Sequence, residues 1–213
     1  MGHVNYKTLD FIASRELVRG LPKISRIRDD LCGPCQVGKQ HRVAHKKSTS
    51  VASKAVLDLI HMDLMTSRTY SRYGRKYILV LVDDFTRFTW SVFLREKSDT
   101  FDAFREWSLR VTVDKDKNIG HIRSDHGGEF ENSGLSDYLT KHGITHELSA
   151  PYTPQSNGVV ERKNRTIQEM ARVMLHEMNV PKGFWEEAVS TATYVINRVY
   201  VRPSTEHTPY ELL

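Results

Sequence analysis

The feature that most constrains the fold is an almost uninterrupted run of β-branched and aliphatic residues from Lys76 to Asp83 (Lys-Tyr-Ile-Leu-Val-Leu-Val-Asp). Such a run predicts a strand that is buried on both faces, and strands of this kind lie in sheets covered by helices. Residues 88–94 alternate enough to form the strand paired with it, across a turn at residues 83–86. We therefore expect a sheet with helices packed on it.

The chain beyond residue 56 continues to alternate between strand and helix patterns. A short apolar run at residues 57–65 precedes the two strands, and a helix with Phe101, Phe104, Trp107 and Val111 on its apolar side follows them. Further elements are expected at residues 119–124 (strand), 135–142 (helix), 144–148 (strand), 156–178 (helix) and 183–200 (helix). The order β-β-β-α-β-α-β-α-α predicts an α/β domain of about 155 residues, with one mixed five-stranded sheet flanked by helices.

Length and composition exclude several classes of protein. None of the apolar runs in the 213 residues approaches the roughly 20 residues that a membrane span needs. The polar first ten residues have no apolar segment of the kind that a secretory signal requires. Two cysteines cannot make a disulfide scaffold, so a reducing compartment is expected.

The net charge of +5 is unevenly distributed along the chain. Residues 1–56 carry 11 Lys and Arg against 4 Asp and Glu, whereas the remainder is close to neutral. A basic block that includes Lys39, Arg42, Lys46, Lys47 and Lys54 suits contact with phosphates. The same block also has the composition of a solvated linker, and charge alone does not separate the two interpretations.

Three acidic residues lie where strands and a helix can bring them together. Asp63 is in the first apolar run, Asp125 follows the strand at 119–124, and Glu161 is near the start of the long helix at 156–178. An oxygen-only, anionic pocket of this kind suits two divalent ions, Mg²⁺ or Mn²⁺, for chemistry at a phosphodiester. Each acid taken alone is more commonly a solvated surface residue.

The residues around these acids resemble the integrases of copia-type retrotransposons. The resemblance lies in residues 60–64 (Ile-His-Met-Asp-Leu), 77–85, 123–130 (Arg-Ser-Asp-His-Gly-Gly-Glu-Phe) and 151–166, the last being the most specific. It implies a ribonuclease-H-like core in which Asp63, Asp125 and Glu161 hold two metal ions for 3′-end processing and strand transfer of reverse-transcribed DNA. His126 stands where family members usually have Asn.

The helix that carries Glu161 is expected to face DNA on one side. Its apolar stripe predicts packing on the sheet, and Arg162, Lys163 and Arg165 supply the positive charge that phosphates need. The alternative role of Arg165 is an ion pair with Glu161 one helical turn away, worth a few tenths of a kcal/mol. The preceding loop corresponds by resemblance to one that touches DNA, which implies DNA contacts for Tyr152, Gln155 and Asn157.

A second group of potential ligands, His3, Cys32 and Cys35, suits a structural Zn²⁺ ion. The resembled family has a zinc module ahead of the integrase core with two histidines before the cysteine pair, so the other histidine is expected upstream of Met1. His41 or His45 as the fourth ligand, and two thiols with no metal, are the alternatives. The expected organisation is a truncated zinc module (1–40), a basic linker (41–56) and the catalytic core (57–213).

The resulting expectation is a retrotransposon integrase that joins element DNA to target DNA. Its expected partners are these DNAs and other parts of a Pol polyprotein. The chain is also expected to form a homo-oligomer and not to bind a membrane. Its expected location is the nucleus, reached by way of cytoplasmic virus-like particles. Two alternatives stay open: a non-catalytic nucleic-acid-binding or assembly module derived from a decayed element, and a ribonuclease-H-like nuclease.

Overall fold

The computed structural model describes residues 4–22, 32–38, 53–148, 158–177 and 179–213, without the side chains of 36–38. Its centre is a five-stranded sheet in the order β3-β2-β1-β4-β5. The strands are β1 (Leu59–Thr66), β2 (Tyr77–Asp83), β3 (Thr89–Leu94), β4 (His121–Ser124) and β5 (Thr145–Leu148). The predicted mixed sheet of five strands is confirmed.

Helices alternate with these strands in the predicted order. They are α1 (Tyr6–Ser14), α2 (Gly33–Gly38), α3 (Thr100–Lys115), α4 (Ser133–Lys141), α5 (Gly158–Glu177), α6 (Trp185–Val199) and the short α7 (Pro209–Leu212). The expected boundaries differ from these by only a few residues. No helix in the described ranges combines the length and the apolar character needed to cross a membrane.

The register of the sheet decides which side chains meet. Strand β1 pairs antiparallel with β2 and parallel with β4, and β4 pairs parallel with β5. In the parallel pair Leu59 lies opposite His121 and His61 opposite Arg123. A parallel pair needs a crossover connection, and helix α3 lies on the chain between β3 and β4. The carboxyl ends of β1 and β4 therefore point the same way.

Each face of the sheet covers a separate apolar cluster. Helices α5 and α6 pack on one face, where Val80, Val82, Ile167 and Ile196 are buried. Helices α3 and α4 pack on the other face against the alternate strand residues, including Leu79 and Leu81 of β2. Strand β2 contributes to both clusters, as its unbroken apolar run predicts.

Helix α1 packs into the same cluster as α5 and α6. Asn5 caps its first turn by accepting a hydrogen bond from the Thr8 N–H at 2.8 Å. Leu9, Ile12 and Ala13 are buried on its inner side. The N-terminal segment thus contributes apolar side chains to the core of the α/β domain.

Candidate active site

Asp63 and Asp125 come from neighbouring parallel strands. Asp63 lies in β1, and Asp125 follows directly after the last residue of β4. The register pairs His61 with Arg123. Continued by two residues, the same register places Asp63 level with Asp125. The sheet therefore brings together two carboxylates that are far apart in the sequence.

The carboxylate of Asp63 is held by two donors. The Asn164 side-chain amide donates to its Oδ2 at 2.7 Å, and the Leu64 N–H donates to its Oδ1 at 2.9 Å. Burial and, to a lesser extent, the negative charges of Asp125 and Glu161 together raise the pKa of Asp63 to about 6, although these hydrogen bonds oppose the rise. The three acids are thus close enough to influence one another electrostatically.

The turn after β4 orients Asp125. The Gly127 N–H donates to the Asp125 carboxylate at 3.1 Å. A Cβ atom at residue 127 would lie 2.9 Å from the Glu129 side chain and 3.1 Å from Asp125 Oδ1, so only glycine fits without a shift. His126, the departure from the resembled family, makes a 2.5 Å contact from its Nδ1 to the Glu131 carboxylate.

Glu161 completes the acidic group from the first turn of α5, where negative charge is favourable beside the N-terminal N–H groups. Burial raises its pKa, Arg162 and Arg165 oppose that rise, and Asp125 adds to it. Within the described ranges, no three His, Cys, Asp or Glu residues lie close enough together to enclose a metal ion. The group formed by Asp63, Asp125 and Glu161 is therefore open, and its donors are all carboxylate oxygens. A hard divalent cation would relieve the repulsion of Asp63 by the other two acids.

A cleft of about 390 Å³ extends from the acids along α5. It is lined by Asp63, Met65, Glu161, Asn164, Arg165, Gln168, Glu169 and Arg172. Residues 161, 165, 168 and 172 recur at helical spacing, so one side of α5 forms a wall of this cleft. The Gln168 amide contacts the Met65 sulfur at 3.1 Å and ties this wall to β1.

The three cations predicted to contact DNA on α5 lie in different places. Arg165 lines the cleft, and Arg162 is exposed at the start of the helix. Lys163 lies on the opposite flank, where burial and the nearby Arg87 lower its pKa to about 8. Arg165 therefore lines the cleft beside Asp63 and Glu161, whereas Arg162 acts on Glu161 from the exposed start of the helix.

The other predicted site residues are only partly covered by the described ranges. His3, Tyr152, Gln155 and Asn157, together with the alternative ligands His41 and His45, lie outside them. Cys32 and Cys35 are half-buried at the start of α2. Zinc binding by this group stays a prediction.

A buried polar network behind Asp63 was not anticipated from the sequence. His61, two residues from Asp63 on the same face of β1, contacts Asp84 Oδ1 through its Nε2 at 3.0 Å. Asp84 also accepts from the Ser53 N–H at 2.9 Å and pairs with Arg87 at 3.0 Å. Burial alone would raise the pKa of Asp84, but these partners outweigh it and hold the pKa below its ordinary value. The adjacent acids Asp83 and Asp84 after a buried strand were the available signal.

The mixed five-stranded sheet flanked by helices has the ribonuclease-H-like fold of retroviral integrase cores. The chain is similar to the HTLV-2 integrase catalytic core domain in complex with magnesium (trimeric form), with a TM-score of 0.56, 19% identity and coverage of 74% of this chain and 97% of that one. It is also similar to a chain of the simian T-cell lymphotropic virus intasome in complex with PP2A regulatory subunit B56 gamma. There the TM-score is 0.63 and the identity 19%, over 85% of this chain and 62% of that one.

Residues 53–154 match the family model described as integrase core domain, so this segment of the chain belongs to that family. It is 39% identical over 199 residues to the retrovirus-related Pol polyprotein from transposon TNT 1-94 of Nicotiana tabacum. It is 37% identical over 199 residues to that from transposon RE2 of Arabidopsis thaliana. Each match covers 93% of this chain but only 15% and 13% of the respective relative, so the chain spans a small part of these polyproteins. The predicted resemblance to copia-type integrases is confirmed.

Proposed function

We propose that this chain is the integrase of a retrotransposon and performs 3′-end processing and strand transfer. The observation that carries the proposal is the electrostatic proximity of Asp63, Asp125 and Glu161, which come from β1, the end of β4 and α5. Asp63 and Glu161 also line the cleft along α5. In strand transfer the 3′-hydroxyl oxygen of element DNA forms a bond to a target phosphorus. The bond from that phosphorus to the target 3′-oxygen breaks.

The three carboxylates are the residues that would hold Mg²⁺ or Mn²⁺. Two such ions supply activation of the attacking oxygen and stabilisation of the leaving one. Asn164 keeps the Asp63 carboxylate in one orientation through its 2.7 Å hydrogen bond. Arg165 and Arg172, on the cleft wall, attract the phosphates on either side of the reacting one.

The wider setting follows from the same proposal. The HTLV-2 cores are described in trimeric and dimeric forms, and the simian viral protein as part of an intasome, which supports a homo-oligomer that binds element and target DNA. The names of the curated relatives support other Pol regions as partners. We further propose a Zn²⁺ ion at His3, Cys32 and Cys35, and a nuclear site of action reached through cytoplasmic virus-like particles.

The test is a strand-transfer assay with short duplex ends of the element in Mg²⁺ or Mn²⁺. Asp63→Asn, Asp125→Asn and Glu161→Gln are each expected to reduce joining to background, because a neutral amide keeps the shape but loses the charge that holds the metal. Asp102→Asn is the matched control, since Asp102 is an exposed acid on α3 that forms an ion pair with Arg105 one turn away.

Three results would contradict the proposal or part of it. Undiminished joining by one of the three variants would remove that residue from the site. A wild-type chain that binds DNA but never joins it would favour the assembly module. Cleavage of an RNA–DNA hybrid without joining of DNA ends would favour the nuclease.

A further inference from the structure

The connection between β1 and β2 is a hairpin with an unusual composition. Its ten residues, 67–76, contain four cations (Arg68, Arg72, Arg75 and Lys76), two tyrosines (Tyr70 and Tyr73) and no acid. The tyrosines are 62% and 49% exposed. Neither the core nor the acidic site accounts for this combination, and we name residues 67–76 the basic hairpin.

The basic hairpin is held in one conformation from within. The Ser67 N–H donates to the Lys76 carbonyl and the Ser71 N–H to the Arg75 carbonyl, both at 2.8 Å. Gly74 closes the turn with a φ of 73°, in the left-handed region that favours glycine. Its exposed tyrosines are therefore presented on an ordered backbone.

The basic hairpin is also anchored to the start of α6. The Arg72 N–H donates to the Gly183 carbonyl at 2.9 Å, and the Arg75 guanidinium contacts the Glu186 carboxylate at 2.5 Å. Since Glu186 is buried, this ion pair fixes the base of the hairpin in place. A preorganised surface of this kind loses little conformational entropy when it binds a ligand.

Two of the four cations in the basic hairpin, Arg68 and Lys76, are available to contact a ligand. Arg75 and Arg72 are paired with Glu186 and Glu187. In the described part of the chain, no carboxylate lies within ion-pair distance of Arg68 or Lys76. The Lys76 ammonium lies 5.3 Å from the centre of the Tyr70 ring, so a cation and an aromatic face are presented side by side.

The position of the basic hairpin aligns it with the catalytic cleft. It continues β1 directly, and the cleft already reaches from Asp63 to Met65 and Arg172 in that direction. From Asp63 to Ser67 the extended strand covers roughly 13 Å, at about 3.3 Å per residue. This corresponds to about four nucleotides at 3.4 Å each along one DNA strand.

We propose that the basic hairpin binds an unpaired DNA segment that leaves the catalytic cleft, with Tyr70 and Tyr73 stacking on bases and Arg68 and Lys76 contacting phosphates. The inference rests on the proposed function, because it takes DNA as the occupant of the cleft. Exposed rings beside cations are how proteins bind single strands, whereas the bases of an intact duplex are already stacked on each other. The segment begins about four nucleotides from the reacting phosphate.

The test measures binding of the full chain to two fluorescent probes without added divalent metal, so that no chemistry occurs. One probe is a short blunt duplex, and the other is the same duplex with an unpaired tail. We expect tighter binding of the tailed probe, and Tyr70→Ala should weaken that binding roughly 5- to 150-fold, equivalent to about 1–3 kcal/mol per stacked base, with little effect on the blunt probe. Arg68→Ala should lower the salt dependence of tailed-probe binding by about 0.7, the slope for one single-strand phosphate.

Matched controls are available on other faces. Tyr194 is 59% exposed and lies 3.9 Å from the Arg198 guanidinium, so Tyr194→Ala removes a similar aromatic–cation pair. Arg110→Ala removes an exposed arginine from α3. Both variants should bind the two probes like the wild type.

Two results would overturn the inference: an unchanged preference for the tailed probe in Tyr70→Ala, or an unchanged salt dependence in Arg68→Ala. The outcome is separable from that of the proposed function, because binding is read without turnover. If Asp63→Asn binds the tailed probe normally but the wild type never joins DNA, the hairpin inference stands and the integrase proposal fails. If the wild type joins DNA but Tyr70→Ala and Arg68→Ala bind the tailed probe like the wild type, the integrase proposal stands and the hairpin inference fails.

Discussion

At the scale of single residues, the acidic site is a set of like charges kept close together by the backbone. Asp63 is the most constrained of them, since it is partly buried and faces both Asp125 and Glu161. The hydrogen bond from Asn164 favours the ionised form, but its effect is smaller than that of burial. Without a cation, an ionised Asp63 therefore costs the folded state free energy, which is a common property of sites built for metal binding.

This cost predicts a pH-dependent effect of Asp63→Asn on stability. The raised pKa means that the stabilising contribution of protonated Asp63 is complete below about pH 4 and is lost as the pH rises through about 6. In metal-free buffer the variant should match the wild type near pH 4 and exceed it by about 1–3 kcal/mol at pH 7. Thermal unfolding at several pH values measures this difference, with Asp102→Asn as the control.

Added Mg²⁺ provides the second half of that experiment. It should raise the Tm of the wild type, because an ion that binds only the folded state stabilises it. The Tm of Asp63→Asn should respond much less. A difference between the two proteins that does not change with pH, or an equal response to Mg²⁺, would contradict this account.

At the scale of elements, the turn between β2 and β3 is held by a buried carboxylate. Asp83 accepts hydrogen bonds from the Leu57 N–H at 2.9 Å and from the Thr86 N–H and hydroxyl, both at 2.7 Å. Burial raises its pKa although these donors oppose the rise. One side chain thus links the entry to β1 with the exit from β2.

Asp83→Ala is expected to destabilise the protein by roughly 3 kcal/mol, because it leaves three donors buried without an acceptor. Urea unfolding followed by circular dichroism measures the loss. Asp114→Ala, at an exposed position near the end of α3, should change stability by less than about 0.5 kcal/mol. Equal stabilities of the two variants would show that the turn does not depend on Asp83.

The elements themselves were largely predictable, and the contacts between them were not. The unbroken apolar run of β2 and the helical spacing of residues 160, 167 and 171 each determine a local structure from nearby residues. The meeting of Asp63 with Asp125 depends on a parallel register across a long crossover, which no local pattern encodes. The three acids were found through their flanking motifs, whereas the Asn164 and Asp84 contacts follow only from the packed structure.

At the scale of the whole molecule, the N-terminal segment and the α/β domain share a core. Ile12 of α1 is completely buried in the cluster that includes Val80 of β2 and Ile167 of α5. An ion pair between Arg15 and Glu206 joins the end of α1 to the segment after α6. The two parts are therefore expected to unfold together.

Ile12→Ala should lower the free energy of unfolding of the entire domain by about 2–5 kcal/mol, because it opens a cavity in a shared core. Phe11→Ala, at the more exposed neighbouring position on the same helix, is the matched control. Calorimetry should give one cooperative transition in both variants, shifted to lower temperature in Ile12→Ala. A main transition unaffected by Ile12→Ala would show that α1 folds independently.

The parallel pairing of β1 with β4 has a consequence for a chain that is still being synthesised. The hairpins of β1, β2 and β3 join contiguous segments, so their pairing requires no residue beyond Leu94. Asp125 can join Asp63 only after α3 has been made, and Glu161 arrives later still, 98 positions beyond Asp63. A nascent chain, or one terminated early within α4, therefore lacks a complete set of these acids until the domain is finished.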